Sequence, residues 1–553
     1  MTSPLHERAA AWIAADVSAT DQAELRDLAD RAVSDPVALA ELADRFAGDL
    51  EFGTAGLRGA MAAGPNRMNR AVVTRAAYGL GRYLADHISR PRVVIGNDAR
   101  HLSRVFALDS AAVLTAAGAE VIVLPDRVPT PVLAYAVRHL HADAGVAVTA
   151  SHNPAADNGY KVYLGGRMVP DHERGVQIVP PADAGIAAAI AAAPPAKDIP
   201  RADGWSEAGE SVTESYIAAI AAGPAPAGPL RIVHTAMHGV GSAPALAALA
   251  RAGFTDVIPV RIQQQPDPDF PTVAFPNPEE PGAIDMAVQT AKTTGADLVI
   301  ANDPDADRCA VAIPDPRTGW RMLQGDELGA VLAGEAGPGV LVNSVVSSRQ
   351  LAAIAAEMGR GYVRTLTGFK WMGRVGEMGF AYEEAIGYCV RPDLVRDKDG
   401  LSTAVVVARL AARLKAEGRS IADLLDDLAR RHGLYLDAQL SIRFADVALI
   451  PRVLDGLRAA PPRALAARAV TQVVDLATGW EGLPPTDGLM LFTDRDDRVV
   501  IRPSGTEPKL KCYIEAVEPV ARDASYEALT AARAQARGRL AALRQDLAGR
   551  VFA

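Results

Sequence analysis

Four short segments carry residues whose types and spacing suit group-transfer chemistry. In "GVAVTASHNPAADNGYKVY" (145–163) an apolar run ends at Ser151, a hydroxyl placed where a strand opens into a loop. Doubly wound sheets bind ligands at such strand ends, so Ser151 reads as a candidate nucleophile. In "ANDPDADR" (301–308) Asp303, Asp305 and Asp307 alternate, and an extended loop would project their carboxylates to one side. Like charges that close repel unless a cation sits between them, and hard oxygen ligands select Mg²⁺ or Ca²⁺. The EF-hand pattern is excluded, because its glycine and glutamate positions hold Arg308 and Pro314. The paired glutamates of "FAYEEAIGY" (380–388) are candidate acids or acceptors for sugar hydroxyls. In "IRPSGTEPKLKCYIE" (501–515) Arg502, Ser504, Gly505 and Thr506 supply a planar fork, two hydroxyls and open backbone, the parts of a phosphate cradle. Each segment alone is also ordinary turn or strand-edge chemistry.

Other chemistries lack their signatures: no Walker loop, no G-x-G-x-x-G after a strand, no H-E-x-x-H and no G-x-S-x-G elbow. His152 adjoins Ser151, but neighbours on an extended chain point opposite ways, which makes it a poor triad base.

The elements that must position these groups alternate strand and helix. Apolar β-rich runs at 91–100, 119–125, 145–150, 229–241, 296–308 and 339–348 each open into a small or polar loop, and an amphipathic stretch covers Ser103–Gly118. Such alternation predicts layered α/β domains. Pro/Gly-rich joints at 191–204, 221–230 and 314–329 divide the chain. The last block alternates with period two and closes on a helix over 524–547, an antiparallel α+β pattern. The expected architecture is three similar mixed-sheet α/β domains, 1–205, 206–322 and 323–435, followed by a smaller antiparallel α+β domain, 436–553, around a central cleft.

Composition narrows the class. A chain of 553 residues with 49% hydrophobic and 22% charged residues is an ordinary globular protein. The N-terminal run carries acids without a sustained apolar core, unlike a signal peptide, and no window has the roughly 18 apolar residues of a membrane span. Three cysteines far apart form neither a disulfide framework nor a zinc site. The expectation is a cytoplasmic protein with no membrane partner. A net charge of −9 argues against nucleic acid.

Taken in order, "TASHNP", "DPDADR", "EEAIG" and "RPSGTEP" resemble the phosphoserine, metal, sugar and phosphate loops of the α-D-phosphohexomutase superfamily, over essentially the whole chain. The details "EFGTAGLRGAM", "SHNPAADNGYKVY" and "TLTGFKWMG" look most like its phosphoglucomutase-2/phosphopentomutase branch. The resemblance implies that Ser151 carries a phosphoryl group, with Asp303, Asp305 and Asp307 and an oxygen of the phosphoserine holding Mg²⁺. It implies that Arg58 and Arg308 face that phosphoryl group, that Lys161 moves the sugar hydroxyl proton, and that His152 supports the phosphate. Thr367, Gly368, Glu383 and Lys398 would meet the sugar, and Arg502, Ser504, Gly505 and Thr506 the phosphate that is not being transferred. The implied reaction moves a phosphoryl group between the C1 and C6 (or C5) hydroxyls of a sugar phosphate through a bisphosphate, which also serves as activator. Phosphoglucomutase is the leading expectation; phosphomannomutase, phosphopentomutase and a phosphosugar phosphatase are the alternatives, in a monomer or homodimer. One departure stands out. Ala385 replaces the serine of glucose-type members, so a hydrogen bond to a hydroxyl is lost and discrimination relaxes.

Overall fold

A computed structural model describes residues 4–552 apart from 445, 447 and 505–508. The chain divides into two units: Met1–Leu323 with Phe369–Gly376 and Gly387–Ala416, and Gln324–Gly368 with Glu377–Ile386 and Glu417–Ala553.

The first unit begins with helices α1 (Pro4–Ala15), α2 (Ala19–Arg31) and α3 (Pro36–Arg45). Ser18 and Asp35 cap α2 and α3 by accepting from the Asp21 and Val37 amides, which satisfies donors that a helix start leaves open. Leu25, Leu28, Leu42 and Phe46 form a small core of their own. A larger, seven-stranded sheet follows, whose main strands are β1 (Leu57–Ala60), β2 (Arg92–Asn97), β3 (Glu120–Val123), β4 (Ala144–Val148) and β5 (Asp157–Leu164). Its order is β1–β5–β4–β2–β3, parallel from β4 to β3 and antiparallel at β5 and β1. Helices α4 (Arg70–His87), α5 (Ser103–Ala116) and α6 (Thr130–His139) flank it. Every residue of β4 is buried, as expected of a parallel strand covered on both faces.

A second sheet of the same unit sets Ile232–Thr235 between Val257–Pro259 and Leu298–Ala301 in parallel, then adds the hairpin Ala310–Asp315/Gly319–Met322 antiparallel. Only Pro316–Thr318 form the hairpin turn, so the joint expected at 314–329 instead begins inside this sheet and ends in the helix Gly325–Ala333. β4 and Leu298–Ala301 both end in the loops that carry candidate chemistry.

In the second unit, Val340–Ser344 lies between Tyr362–Thr365 and Met378–Glu383, all parallel. The C-terminal sheet has six strands in an antiparallel order, and the helix Tyr526–Phe552 packs on it. Leu436, Leu491, Val499, Ile514, Leu540 and Leu543 share its core. Three α/β sheets and one antiparallel α+β domain agree with the fold class expected from the sequence.

Candidate active site

The first unit assembles a candidate reactive centre from the ends of two buried strands. Beyond β4 the chain turns at Ser151, whose φ of +51° lies in the left-handed region that non-glycine residues rarely enter. Its amide donates to Thr149 Oγ1 at 2.9 Å, and its hydroxyl donates to Asp303 Oδ2 at 2.8 Å, across 152 residues of sequence. Because Ser151 is not extended, the expected opposition of its side chain to that of His152 fails: His152 Nδ1 lies 3.3 Å from Ser151 Oγ. Burial, reinforced by Arg308 and Arg58, pushes the imidazole well below its usual range. His152 is thus a neutral neighbour of the hydroxyl.

The aspartate loop is also bent rather than extended. Ala306 has a φ of +56°, and the Ala306 amide donates back to the Asp303 carbonyl. This turn brings one oxygen from each of Asp303, Asp305 and Asp307 within 4.8 Å of the others. All three residues are fully buried. Lys161, on β5, donates to Asp305 Oδ2 at 2.7 Å and Asp307 Oδ2 at 3.0 Å, and Lys398 Nζ lies 3.3 Å from Asp307. Thr130 holds the same loop, its hydroxyl on Asp305 Oδ2 at 2.8 Å and its amide on the Asp305 carbonyl at 2.9 Å. Burial opposes ionisation of Asp305 and Asp307, yet Lys161 keeps both below the ordinary carboxylate range. Asp303 goes the other way, raised by burial and by the charges of Asp305 and Asp307.

A divalent cation fits this donor set. Asp305 Oδ1 and Asp307 Oδ1 are buried with no hydrogen-bond partner, and an orphaned buried carboxylate oxygen is costly unless something positive faces it. The hard carboxylate donors suit Mg²⁺.

The remaining candidates of this unit surround the pair of loops. Arg58 Nη1 donates to Asn153 Oδ1 at 3.2 Å, and Arg308 Nε lies 3.9 Å from Asp303 Oδ2. Gly56, with φ +75°, lets the Arg58 loop press against β5: a Cβ there would lie 1.8 Å from the Tyr160 carbonyl oxygen. Lys398 is held from behind by Asp397, which accepts the Lys398 amide and the hydroxyl of Tyr163.

The second unit separates the two glutamates. Glu383 ends a strand half-buried, whereas Glu384 Oε2 accepts from Ser344 Oγ at 3.1 Å and Ser347 Oγ at 2.9 Å. Glu384 thus has a packing partner on the neighbouring loop. Thr367 and Gly368 follow the strand Tyr362–Thr365, half-buried, with Gly368 at φ +103°. Arg502 lies half-buried near the end of a C-terminal strand, and the Ser504 amide donates to the Lys509 carbonyl at 2.8 Å. Gly505 and Thr506 lie outside the described residues.

Sequence reasoning missed Thr130, Lys370 and Arg100. Lys370, beside the "TLTG" segment, reaches Thr54 Oγ1 in the "FGTAGLRG" loop. No spacing pattern marks Thr130, since its partner is 175 residues away.

Four family models cover most of the chain. They are phosphoglucomutase/phosphomannomutase alpha/beta/alpha domains I, II and III, matching residues 49–193, 214–318 and 324–432, and the C-terminal domain of that family, matching 458–532. A Haemophilus influenzae protein named "Probable phosphomannomutase" is 44% identical over 81% of this chain and 93% of its own. The phosphopentomutase of Mus musculus is 34% identical over 86% of this chain and 85% of its own. In fold, the chain is similar to a phosphoglucomutase/phosphomannomutase family protein from Burkholderia thailandensis, with TM-score 0.66, 21% identity, and 88% of this chain and 96% of that one covered. No helix among the described residues is long and apolar enough to cross a membrane. The chain belongs to the phosphoglucomutase/phosphomannomutase family of the α-D-phosphohexomutase superfamily, and is a phosphosugar mutase.

Proposed function

We propose that Ser151 carries the phosphoryl group and exchanges it with the C1 and C6 (or C5) hydroxyls of a sugar phosphate through a bisphosphorylated intermediate. The observation that carries this reading is the 2.8 Å contact between Ser151 Oγ and Asp303, within a triad that keeps two buried carboxylate oxygens open. Asp303, Asp305, Asp307 and the serine-borne phosphoryl would hold Mg²⁺, which when bound withdraws charge from phosphoryl oxygens. Arg58 and Arg308 flank the serine loop as donors. Lys161 is the candidate to take and return the sugar hydroxyl proton, and His152, being neutral, can accept or donate a hydrogen bond beside Oγ. Glu383 would accept from sugar hydroxyls, with Thr367, Gly368 and Lys398 as further sugar contacts. Arg502, Ser504, Gly505 and Thr506 would grip the second phosphate.

Glucose 1-phosphate is the leading substrate by family resemblance, although Ala385 departs from the glucose-type motif. A mannose or pentose 1-phosphate is the second reading, left open by Ala385 and supported by the relatives named probable phosphomannomutase and phosphopentomutase. A small sugar phosphate as sole partner, a sugar bisphosphate as activator, a cytoplasmic location and a monomer or homodimer complete the proposal. A panel of glucose, mannose, ribose and deoxyribose 1-phosphates, each with a trace of its bisphosphate and Mg²⁺, tests it. Formation of the 6- or 5-phosphate identifies the sugar. Inorganic phosphate released faster than any isomer would establish a phosphatase instead.

A further inference from the structure

Arg100 ends the "GNDAR" segment after β2, and its side chain is 1% exposed. Its guanidinium spends four N–H donors on the backbone of one loop. Nη2 donates to the Ser151 and Asn153 carbonyls, both at 2.6 Å, and Nη1 to those of Pro154 at 2.8 Å and Asp157 at 3.1 Å. The fifth donor, Nε, faces Asp98 Oδ2 at 3.3 Å, and the Phe270 ring lies 5.0 Å from the guanidinium carbon. Asp98 is fixed in turn, its Oδ1 accepting the Arg100 amide and Ser103 Oγ. The fork is therefore held by four carbonyls, and the loop from 151 to 157 converges on it.

Two consequences follow from peptide geometry. A planar trans peptide points its C=O and N–H in opposite directions, so drawing the Ser151 carbonyl onto Arg100 turns the His152 amide to the other side of the loop. A left-handed conformation is sterically costly for a residue with a Cβ, and at Ser151 it persists only where surrounding contacts over-determine it. The Arg100 fork and the Thr149 hydroxyl supply those contacts on either side of the residue.

We infer that Arg100 is a positioning residue, which holds the serine loop in the form that presents Ser151 Oγ to Asp303 and thereby favours phosphoryl transfer to sugar over loss to water. The loss is a hydrolysis in which a water oxygen bonds to phosphorus, the P–Oγ bond breaks, a proton passes to Ser151 Oγ and inorganic phosphate leaves. The inference rests on the mutase reading above. A lysine has three rotating donors around a point charge and cannot span four carbonyls in one plane.

The test is R100K in the full-length protein, with Mg²⁺, the preferred sugar 1-phosphate and its bisphosphate. A misplacement of about 1 Å costs about 100-fold in rate, so kcat should fall by about that factor. KM should stay within about threefold, because Arg100 faces backbone and not ligand. Inorganic phosphate released per isomer formed should rise at least about tenfold, since the inference asks for lost transfer rather than lost binding. A purely structural arginine would lower the amount of active enzyme and leave that ratio unchanged, which would overturn the inference, as would normal kcat. Should R100K fail to fold, Asp98→Asn carries the same test, because it keeps the fork and removes the charge at Nε. An unchanged phosphate-to-isomer ratio in that variant overturns the inference too. Intact mass of the wild-type protein separates the two levels: no phosphoserine at 151 removes the mutase mechanism and this inference together. A phosphorylated wild type matched in every readout by R100K removes only the role of Arg100.

Discussion

Each unit holds a group of buried or half-buried carboxylates, and the two groups are satisfied in different ways. In the second unit Asp326 Oδ1 accepts from the Ser348 amide at 2.6 Å and the Tyr382 hydroxyl at 2.8 Å. Glu515 takes the amide and Nε of Arg349, and Glu384 takes two serine hydroxyls. Arg498 closes this assembly by donating to the carbonyls of Val345, Val346 and Ser347. These carboxylates knit a loop to a neighbouring sheet. In the first unit the same chemical groups leave Asp305 Oδ1 and Asp307 Oδ1 without partners, although Lys161 neutralises much of their charge. An acid that accepts from the loop and strand packed beside it is architecture. One that keeps a buried oxygen open beside a serine fits a cation.

The contrast is broken most severely at Ser151. Ser151→Ala should remove the phosphoenzyme mass and lower turnover by at least about 10⁴-fold, the scale of losing a nucleophile. Turnover within tenfold of wild type would dismiss the serine from the reaction. The next test sets one acid from each group side by side. Asp305→Asn should weaken activation by Mg²⁺ by more than the roughly 10- to 100-fold typical of residues one shell further out, whereas Asp326→Asn should leave it unchanged. Equal responses in a Mg²⁺ titration would erase the distinction between the groups.

Smaller effects sharpen the second group. Glu384→Ala leaves the Ser344 and Ser347 hydroxyls without this acceptor and should cost about 1–3 kcal/mol in a denaturant-unfolding experiment. Stability equal to wild type would return Glu384 to the role of a free sugar-binding acid. Smallest is a pH effect. Burial raises the Asp326 carboxyl to about 7, from an unfolded value of 3.8. The folded state therefore holds a proton that the unfolded state has released, and stability present below the unfolded value is lost as pH rises towards and through the folded one. The slope is at most about 1.4 kcal/mol for each pH unit. Asp326→Asn keeps an acceptor oxygen, and its stability should fall less than that of wild type between pH 5 and 8. Parallel pH profiles would reject the shift.

Much of this was legible in the sequence, and the failures share one cause. Ser151 and the aspartate triplet were marked by residue type at strand ends, and buried strands are recognisable from unbroken apolar runs such as "DLVI". The relation of His152 to Ser151 was misjudged because an extended backbone was assumed, and one left-handed φ reverses the answer. "EE" offered no way to tell Glu383 from Glu384, because the distinction lies in serines about 40 residues upstream. Arg100 and Thr130 carry no motif at all, since their partners are backbone carbonyls or a distant carboxylate.

The amino-acid order alone fixed the kinds of group available: a hydroxyl, three hard-ligand acids, a lysine on the strand after the serine, and the alternating elements that deliver them to strand ends. The assignment of individual atoms came only with folding. Ser151 Oγ meets Asp303 across 152 residues and Lys161 meets Asp305 across 144, so each of these contacts depends on how the first two sheets pack. Local propensity acts over a few residues and cannot encode such distances. Burial in a shared interior makes the charge balance of the triad and the open state of its two oxygens a property of the whole unit.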